Sequence, residues 1–237
     1  MPCDYTLLTN GCSFTKTTFP GLNQEESEQF NWPHQLAKLL SCSGVENLAR
    51  GGGSNQRIHR TTINRIIEAA SEKIILVVQL TELSRFEWLY SKLAKNDFIF
   101  EFVKGDNWIR GFTHQEFSPD KHKLPRFSDI QISHLNTKLS VYSDVEEMYK
   151  LCAYLGNIKM LCDAKSIPYI FWFPQPWYYF LDLKFRKYIV EHLKYYWFSD
   201  DTIYTKISDQ DGHPDQQGHK IIADQLYQRI NEYGLLK

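Results

Sequence analysis

No apolar run in the sequence approaches the roughly 18 residues that a membrane-spanning helix needs, so a soluble protein with no membrane partner is expected. Net charge is almost absent too: 27 basic and 28 acidic side chains give −1, and no block of one sign stands out. The long-range pull on nucleic acid is therefore weak, and none is expected as a partner. The opening residues MPCDYTLLTNG lack the basic end, apolar stretch and small-residue cleavage site of a secretory leader. The five cysteines, Cys3, Cys12, Cys42, Cys152 and Cys162, are odd in number and form no CxxC pair. That speaks against a disulfide framework, a zinc knuckle and a thioredoxin-like redox motif, and a reducing, cytoplasmic setting is the expectation. Internal repeats and low-complexity segments are also missing.

What is present suits one α/β domain spanning residues 1–237, since 43% of the chain is hydrophobic and the length is enough to bury a full core. Residues 5–10 (YTLLTN) read as a short buried strand ending at Gly11, and IILVVQL at 74–80 is apolar enough to be covered on both faces. Between them, Asn31 can cap a helix with Pro33 in its first turn, and Trp32, Leu36, Leu39 and Leu40 share a face. A strand near 45–49 (VENLA) follows. A second helix opens near Ser54, with Ile58, Thr62, Ile63, Ile66, Ile67 and Ala70 as its apolar stripe. This β-α-β-α-β pattern predicts a parallel sheet in a three-layer α/β/α, flavodoxin-like arrangement. Further on, Val141, Val145, Met148, Cys152, Leu155, Ile158 and Cys162 mark a long helix, PYIFWF at 168–173 a strand, and 214–233 a final helix. The stretch 97–140 breaks the pattern. FIFEFV at 98–103 can be a strand, but 105–128 is rich in Gly, Pro, His and charge, so the segment reads as an insertion that could cover a cleft.

In an open parallel sheet, ligands sit beyond the carboxyl ends of the strands, which is where Gly11-Cys12-Ser13-Phe14-Thr15 falls. Ser13 is exposed to such a cleft, and its own N–H can face a developing oxyanion; alternatively Ser13 merely caps a turn. At the other end of the chain, Asp211-Gly212-His213-Pro214-Asp215 precedes an amphipathic helix, and Pro214 suits a first helical turn. A neutral imidazole held there can take a serine proton while a nearby carboxylate binds its Nδ1–H. Asp211 is well placed for that role. His219 reads as structural or cleft-lining rather than a second base. A metal site from Asp211, His213, Asp215 and His219 lacks any helical ligand spacing such as H-E-x-x-H, and neither a metal nor another cofactor is expected. Trp177 and Tyr178, at the end of the 168–173 strand, are candidate substrate-binding aromatics.

These blocks, in this order over most of the chain, resemble the SGNH/GDSL hydrolases, which include esterases, lipases, carbohydrate deacetylases and some acyltransferases. GCSFT resembles the family's G-D-S-x-[ST], which makes Ser13 the nucleophile and puts Cys12 where the family usually has Asp. Asn47 followed by Gly52 resembles the second block and implies that the Gly52 N–H serves an oxyanion hole, with Asn55 either a further donor or a first-turn helix residue. The third block departs: the family's G-x-N-D is here Thr81-Glu82-Leu83-Ser84-Arg85-Phe86-Glu87, with no Asn. Arg85 or Thr81 could supply the missing donor, whereas Ser84 and Glu87 have the spacing of a helix capping box. The last block, D-x-x-H, matches in part because Gln210 stands three before His213, leaving Asp211, or else Asp209, as the acid. The resemblance implies a serine esterase acting on an ester of a small molecule or glycan, with no cofactor. An O-acyltransferase and a degenerate, non-catalytic binding protein are the alternatives.

Overall fold

The computed structural model describes residues 3–69, 72–83, 85–88, 98–103, 108–112, 144–174, 183–199, 204–208 and 211–236. Strand β1 (Cys3–Asn10) pairs in parallel with β2 (Cys42–Asn47) on one side and with β3 (Ile74–Gln79) on the other. Beyond β3 lie β7 (Tyr169–Pro174) and β8 (Tyr196–Ser199), also parallel, giving the order β2-β1-β3-β7-β8. That is the flavodoxin-like order, in which the chain reverses its direction of winding between β1 and β3 and opens a crevice at their carboxyl ends. A separate antiparallel sheet joins β4 (Arg85–Trp88), β5 (Phe98–Val103) and β6 (Trp108–Phe112).

All six residues of β3 and of β7 are buried, as a strand covered on both faces requires. Alternate side chains feed two cores. Leu7, Ile75, Val77, Ile170 and Trp172 face helices α2 (Trp32–Leu40) and α6 (Gln216–Glu232), which contribute Trp32, Leu36, Ile222, Leu226 and Ile230. Leu8, Leu76, Val78, Phe171 and Phe173 face α3 (Asn55–Glu68), α4 (Asp144–Ala164) and α5 (Leu183–His192), which contribute Ile58, Ile66, Leu155, Ile158 and Ile189. Each fully buried aliphatic or aromatic side chain of this kind contributes about 1.5–3 kcal/mol. A short helix, α1 (Gln24–Glu28), sits between β1 and α2 and carries a capping box from Asn23 and Glu26.

Several expectations from periodicity need correction. Periodicity puts Leu39, Ile67 and Val145 on apolar faces, yet they are 40%, 59% and 54% exposed, because each lies at the margin of its stripe where the helix turns away from the sheet. The strand expected near 45–49 starts earlier, at Cys42. The capping box of Ser84 and Glu87 does not start a helix: Arg85–Trp88 pairs with β5 as a strand, since backbone pairing across the hairpin overrides a local cap signal. The final helix begins after Pro214. Its cap is Asp215, whose side chain accepts the Gly218 N–H, so Pro214 precedes the helix. Within the expected insertion, FIFEFV forms β5, and a second strand, β6, arises in the stretch that shows no period; the remaining residues, 97, 104–107 and 113–140, and with them the expected cover, lie outside the described residues. Among the described residues, no helix is long and apolar enough to cross a membrane.

Candidate active site

The turn after β1 is built around a buried polar node. Gln79 closes the apolar run of β3, and because Asn10 stands opposite Val78 in the register, the next residues, Gly11 and Gln79, come side by side. The fully buried Gln79 Oε1 accepts from the Cys12 N–H (3.1 Å) and the Thr15 hydroxyl (2.7 Å), while its Nε2 donates to the Leu80 carbonyl (2.8 Å). A buried amide left unpaired would cost about 1–3 kcal/mol, so these bonds fix both the strand end and the turn. On the other side, Asn10 Nδ2 reaches the Ile58 carbonyl and the hydroxyls of Thr61 and Thr62 on α3.

Gly11 cannot carry a side chain in this turn. An added Cβ would stand 2.3 Å from Thr15 Oγ1 and 2.6 Å from Gln79 Oε1. Gly11→Ala is therefore expected to destabilise the protein by about 1–3 kcal/mol, read as a lowered urea midpoint, because the displaced atoms belong to the buried node. An unchanged midpoint would show that the turn is loose.

The loop after β2 packs on the same turn. Leu48 N–H donates to the Thr9 carbonyl and Arg50 N–H to the Gly11 carbonyl, and a Cβ on Gly53 would lie 3.0 Å from the Gly11 and Arg50 oxygens. Gly52 has φ +70°, a left-handed conformation that favours glycine. Among the described residues, neither the Ser13 N–H nor the Gly52 N–H has a hydrogen-bond partner.

Residues 204–208 and 211–215 supply the opposite wall. Lys206 and Pro214 form an antiparallel bridge, Ile207 N–H donates to the His213 carbonyl (2.9 Å), and Asp215 N–H donates to the Thr205 carbonyl (3.0 Å). Gly218 at the start of α6 lets Thr205 approach: an added Cβ would stand 2.2 Å from the Thr205 oxygen. This small loop holds His213 with its Nε2 2.7 Å from Ser13 Oγ and its Nδ1 2.5 Å from Asp211 Oδ1. The same carboxylate oxygen accepts the His213 backbone N–H (3.1 Å). Burial pushes the Asp211 carboxyl up, but the hydrogen bonds and charge of His213 outweigh it and hold it below the usual carboxylate range. The Phe14 ring packs on the imidazole at 5.1 Å and is itself met edge-on by Tyr204. The side chains of His213 and Asp211 remain 35% and 46% exposed, so the trio opens to solvent.

The structure thus brings together Ser13, His213 and Asp211, with Gly52 on the adjoining loop. The alternative acid, Asp209, and the aromatics Trp177 and Tyr178 lie outside the described residues. Of the other candidate donors, Asn55 is the first residue of α3, the helix-residue alternative of the two expected for it. Asn55 uses its amide within the scaffold: Nδ2 donates to the Thr81 carbonyl and Oδ1 accepts the Thr81 N–H, both at 2.9 Å, so it ties α3 to the end of β3. Thr81 is buried in that clasp. Arg85 has its Nε 3.8 Å from Glu82 and lines, with Asn55, Glu147, Lys150 and Tyr154, a cavity of about 260 Å³ to which neither Ser13 nor His213 contributes. His219 is fully buried; burial pushes its ring down to about 3, with His213 lowering it further and Asp215 opposing. Among the described residues, no group of three or more His, Cys, Asp or Glu side chains is arranged to hold a metal ion.

Sequence reasoning missed Gln79, Phe14 and Thr17. Gln79 did carry a signal, since a polar residue ending a wholly apolar strand is more informative than any hydrophobic one around it.

An α/β fold with a five-stranded parallel sheet and helices on both faces is the class that these features define, and solved esterase structures share it. The psychrotrophic esterase EstA from Pseudoalteromonas sp. superposes with a TM-score of 0.52 at 10% identity, covering 97% of this chain and 98% of its own. TesA gives 0.52 at 10% identity over 96% and 99%. A GDSL-like lipase from Bacteroides thetaiotaomicron gives 0.48 at 11% identity over 97% and 89%. By sequence, the chain belongs to DUF6071, a family of unknown function, which it matches over residues 13–144. That match includes Ser13 and Gly52 and stops before Asp211 and His213. No curated protein matches the sequence.

Proposed function

We propose that the protein is an ester hydrolase of the SGNH/GDSL type, working through an acyl-Ser13 intermediate on a short acyl ester of a small molecule or glycan. The observation that carries this reading is the unbroken line Ser13 Oγ, His213 Nε2, His213 Nδ1, Asp211 Oδ1, with steps of 2.7 and 2.5 Å. In the first half-reaction Ser13 Oγ bonds to the acyl carbon as its proton passes to His213 Nε2, and the carbonyl oxygen becomes an oxyanion. The N–H groups of Ser13 and Gly52 are the donors assigned to that oxyanion. Collapse breaks the ester C–O bond, and the departing alkoxide takes the proton from His213. In the second half-reaction water gives a proton to His213 and its oxygen to the acyl carbon. Collapse then returns the proton to Ser13 and releases the acid. Asp211 holds the reactive tautomer and faces the imidazolium that forms in each half.

The test is covalent. A fluorophosphonate probe should label Ser13, found by peptide mass spectrometry, and His213→Ala should slow labelling by at least about a hundredfold, because the base is lost. Turnover of short p-nitrophenyl esters should follow the same order. A folded wild-type protein that neither takes the probe nor cleaves the esters would end this reading.

A further inference from the structure

Ser13 is flanked by two peptide planes, and each is anchored differently. The plane joining Cys12 to Ser13 is fixed by its carbonyl, which accepts from the N–H groups of Thr15 (2.9 Å) and Lys16 (3.2 Å). Because a trans peptide points its C=O and N–H in opposite directions, this also aims the Ser13 N–H. Among the described residues, no backbone N–H donates to the carbonyl of the plane after Ser13, which accepts instead from the Thr17 hydroxyl, at 2.7 Å.

Thr17 is itself held on all sides. Its N–H donates to Asn31 Oδ1 (3.1 Å) and its carbonyl accepts from Asn31 Nδ2 (3.0 Å). Asn31 therefore does not cap α2 with its side chain, although it occupies the cap position. The cap is supplied from the far end of the sequence: the Trp32 N–H donates to His219 Nδ1, at 3.1 Å. A ring that accepts at Nδ1 and is neutral must carry its proton on Nε2, which lies 3.0 Å from Thr17 Oγ1. The ring does stay neutral through the working range of pH, since burial holds it down to about 3. Every donor then has one acceptor: Trp32 N–H to His219 Nδ1, His219 Nε2–H to Thr17 Oγ1, Thr17 Oγ1–H to the Ser13 carbonyl.

Resting on the assignment of Ser13 as nucleophile, we propose that the buried His219–Thr17 pair is a positioning relay that fixes the Ser13 backbone and so aims its Oγ at His213. Neither residue touches the reacting atoms; both act through the Ser13 carbonyl. The one-way donor order matters, because a Thr17 hydroxyl turned toward His219 would give up its bond to the Ser13 carbonyl.

Kinetics on four variants decide it: Thr17→Val, Thr17→Ser, His219→Leu and His219→Gln, each read as the rate of fluorophosphonate labelling, as kcat and KM on a p-nitrophenyl ester, and as Tm. Thr17→Val keeps the volume and removes the hydroxyl, so labelling and kcat should fall about tenfold or more with KM within about twofold, since a misaimed nucleophile weakens the transition state rather than binding. Thr17→Ser, which keeps the hydroxyl, should restore both to within about threefold. His219→Leu should match Thr17→Val, whereas His219→Gln, whose amide can still donate to Thr17, should keep its rate while losing Tm. Equal rates in all folded variants, or a Thr17→Ser as slow as Thr17→Val, would overturn the relay. An unlabelled wild type would instead remove the assignment of Ser13.

Discussion

Ser13→Ala is expected to lose probe labelling entirely and to lower ester turnover by at least about 10⁴-fold, while unfolding at nearly the wild-type urea concentration. The effect on rate is expected to be large because, in the proposed mechanism, the hydroxyl oxygen bonds to the acyl carbon and nothing else within the trio can replace it. The effect on stability is small because, among the described residues, Ser13 Oγ makes one hydrogen bond, to a histidine whose side chain is itself 35% exposed. The Thr17 hydroxyl still meets the backbone carbonyl at position 13 in the variant, so the turn keeps its anchor. Mass spectrometry of the probe-treated proteins checks the first part. Equal turnover in wild type and variant would place the reaction elsewhere in the molecule.

The second large effect concerns Asp211. Asp211→Asn should lower kcat by about 10³- to 10⁴-fold, because an amide nitrogen facing His213 Nδ1 favours the tautomer that puts the proton on Nε2, where the ring must accept. The side chain is half exposed, so little stability rests on its charge, and the variant should fold normally. A rate loss therefore reads as chemistry. Asp209→Asn serves as the comparison and should change kcat by less than about twofold. If the two variants exchanged effects, the acid would be Asp209 and the 2.5 Å contact at Asp211 would be incidental.

Elements and motifs that a local window of sequence contains are legible, whereas most side-chain partners drawn from distant segments are not. β3 and β7 could be recognised because strands buried on both faces leave continuous apolar runs, and α3 because its apolar residues recur at helical spacing. Ser13, His213 and Asp211 stood out because each lies in a short motif with a backbone reason for its shape. Leu39 and Ile67 were misplaced because periodicity gives the centre of an apolar stripe but not its width. Gln79 meets Cys12 across 67 residues and His219 meets Thr17 across 202, distances over which no spacing rule operates. The oxyanion donors sought in side chains at positions 55, 81 and 85 illustrate the same limit: the Asn55 amide had a backbone partner 26 residues away.

The separation of Ser13 from His213 by 200 residues has a consequence for synthesis. During translation the serine turn and its β1–β3 frame leave the ribosome long before the loop that carries the base, and α6 must dock on α2 before His219 can reach Thr17 and Trp32. A nascent or interrupted chain would thus carry the Ser13 turn without the imidazole proposed as its base. On the proposed mechanism the trio is complete only once His213 and the last helix are in place, so reactivity toward a covalent probe would double as a reporter that folding has gone to completion.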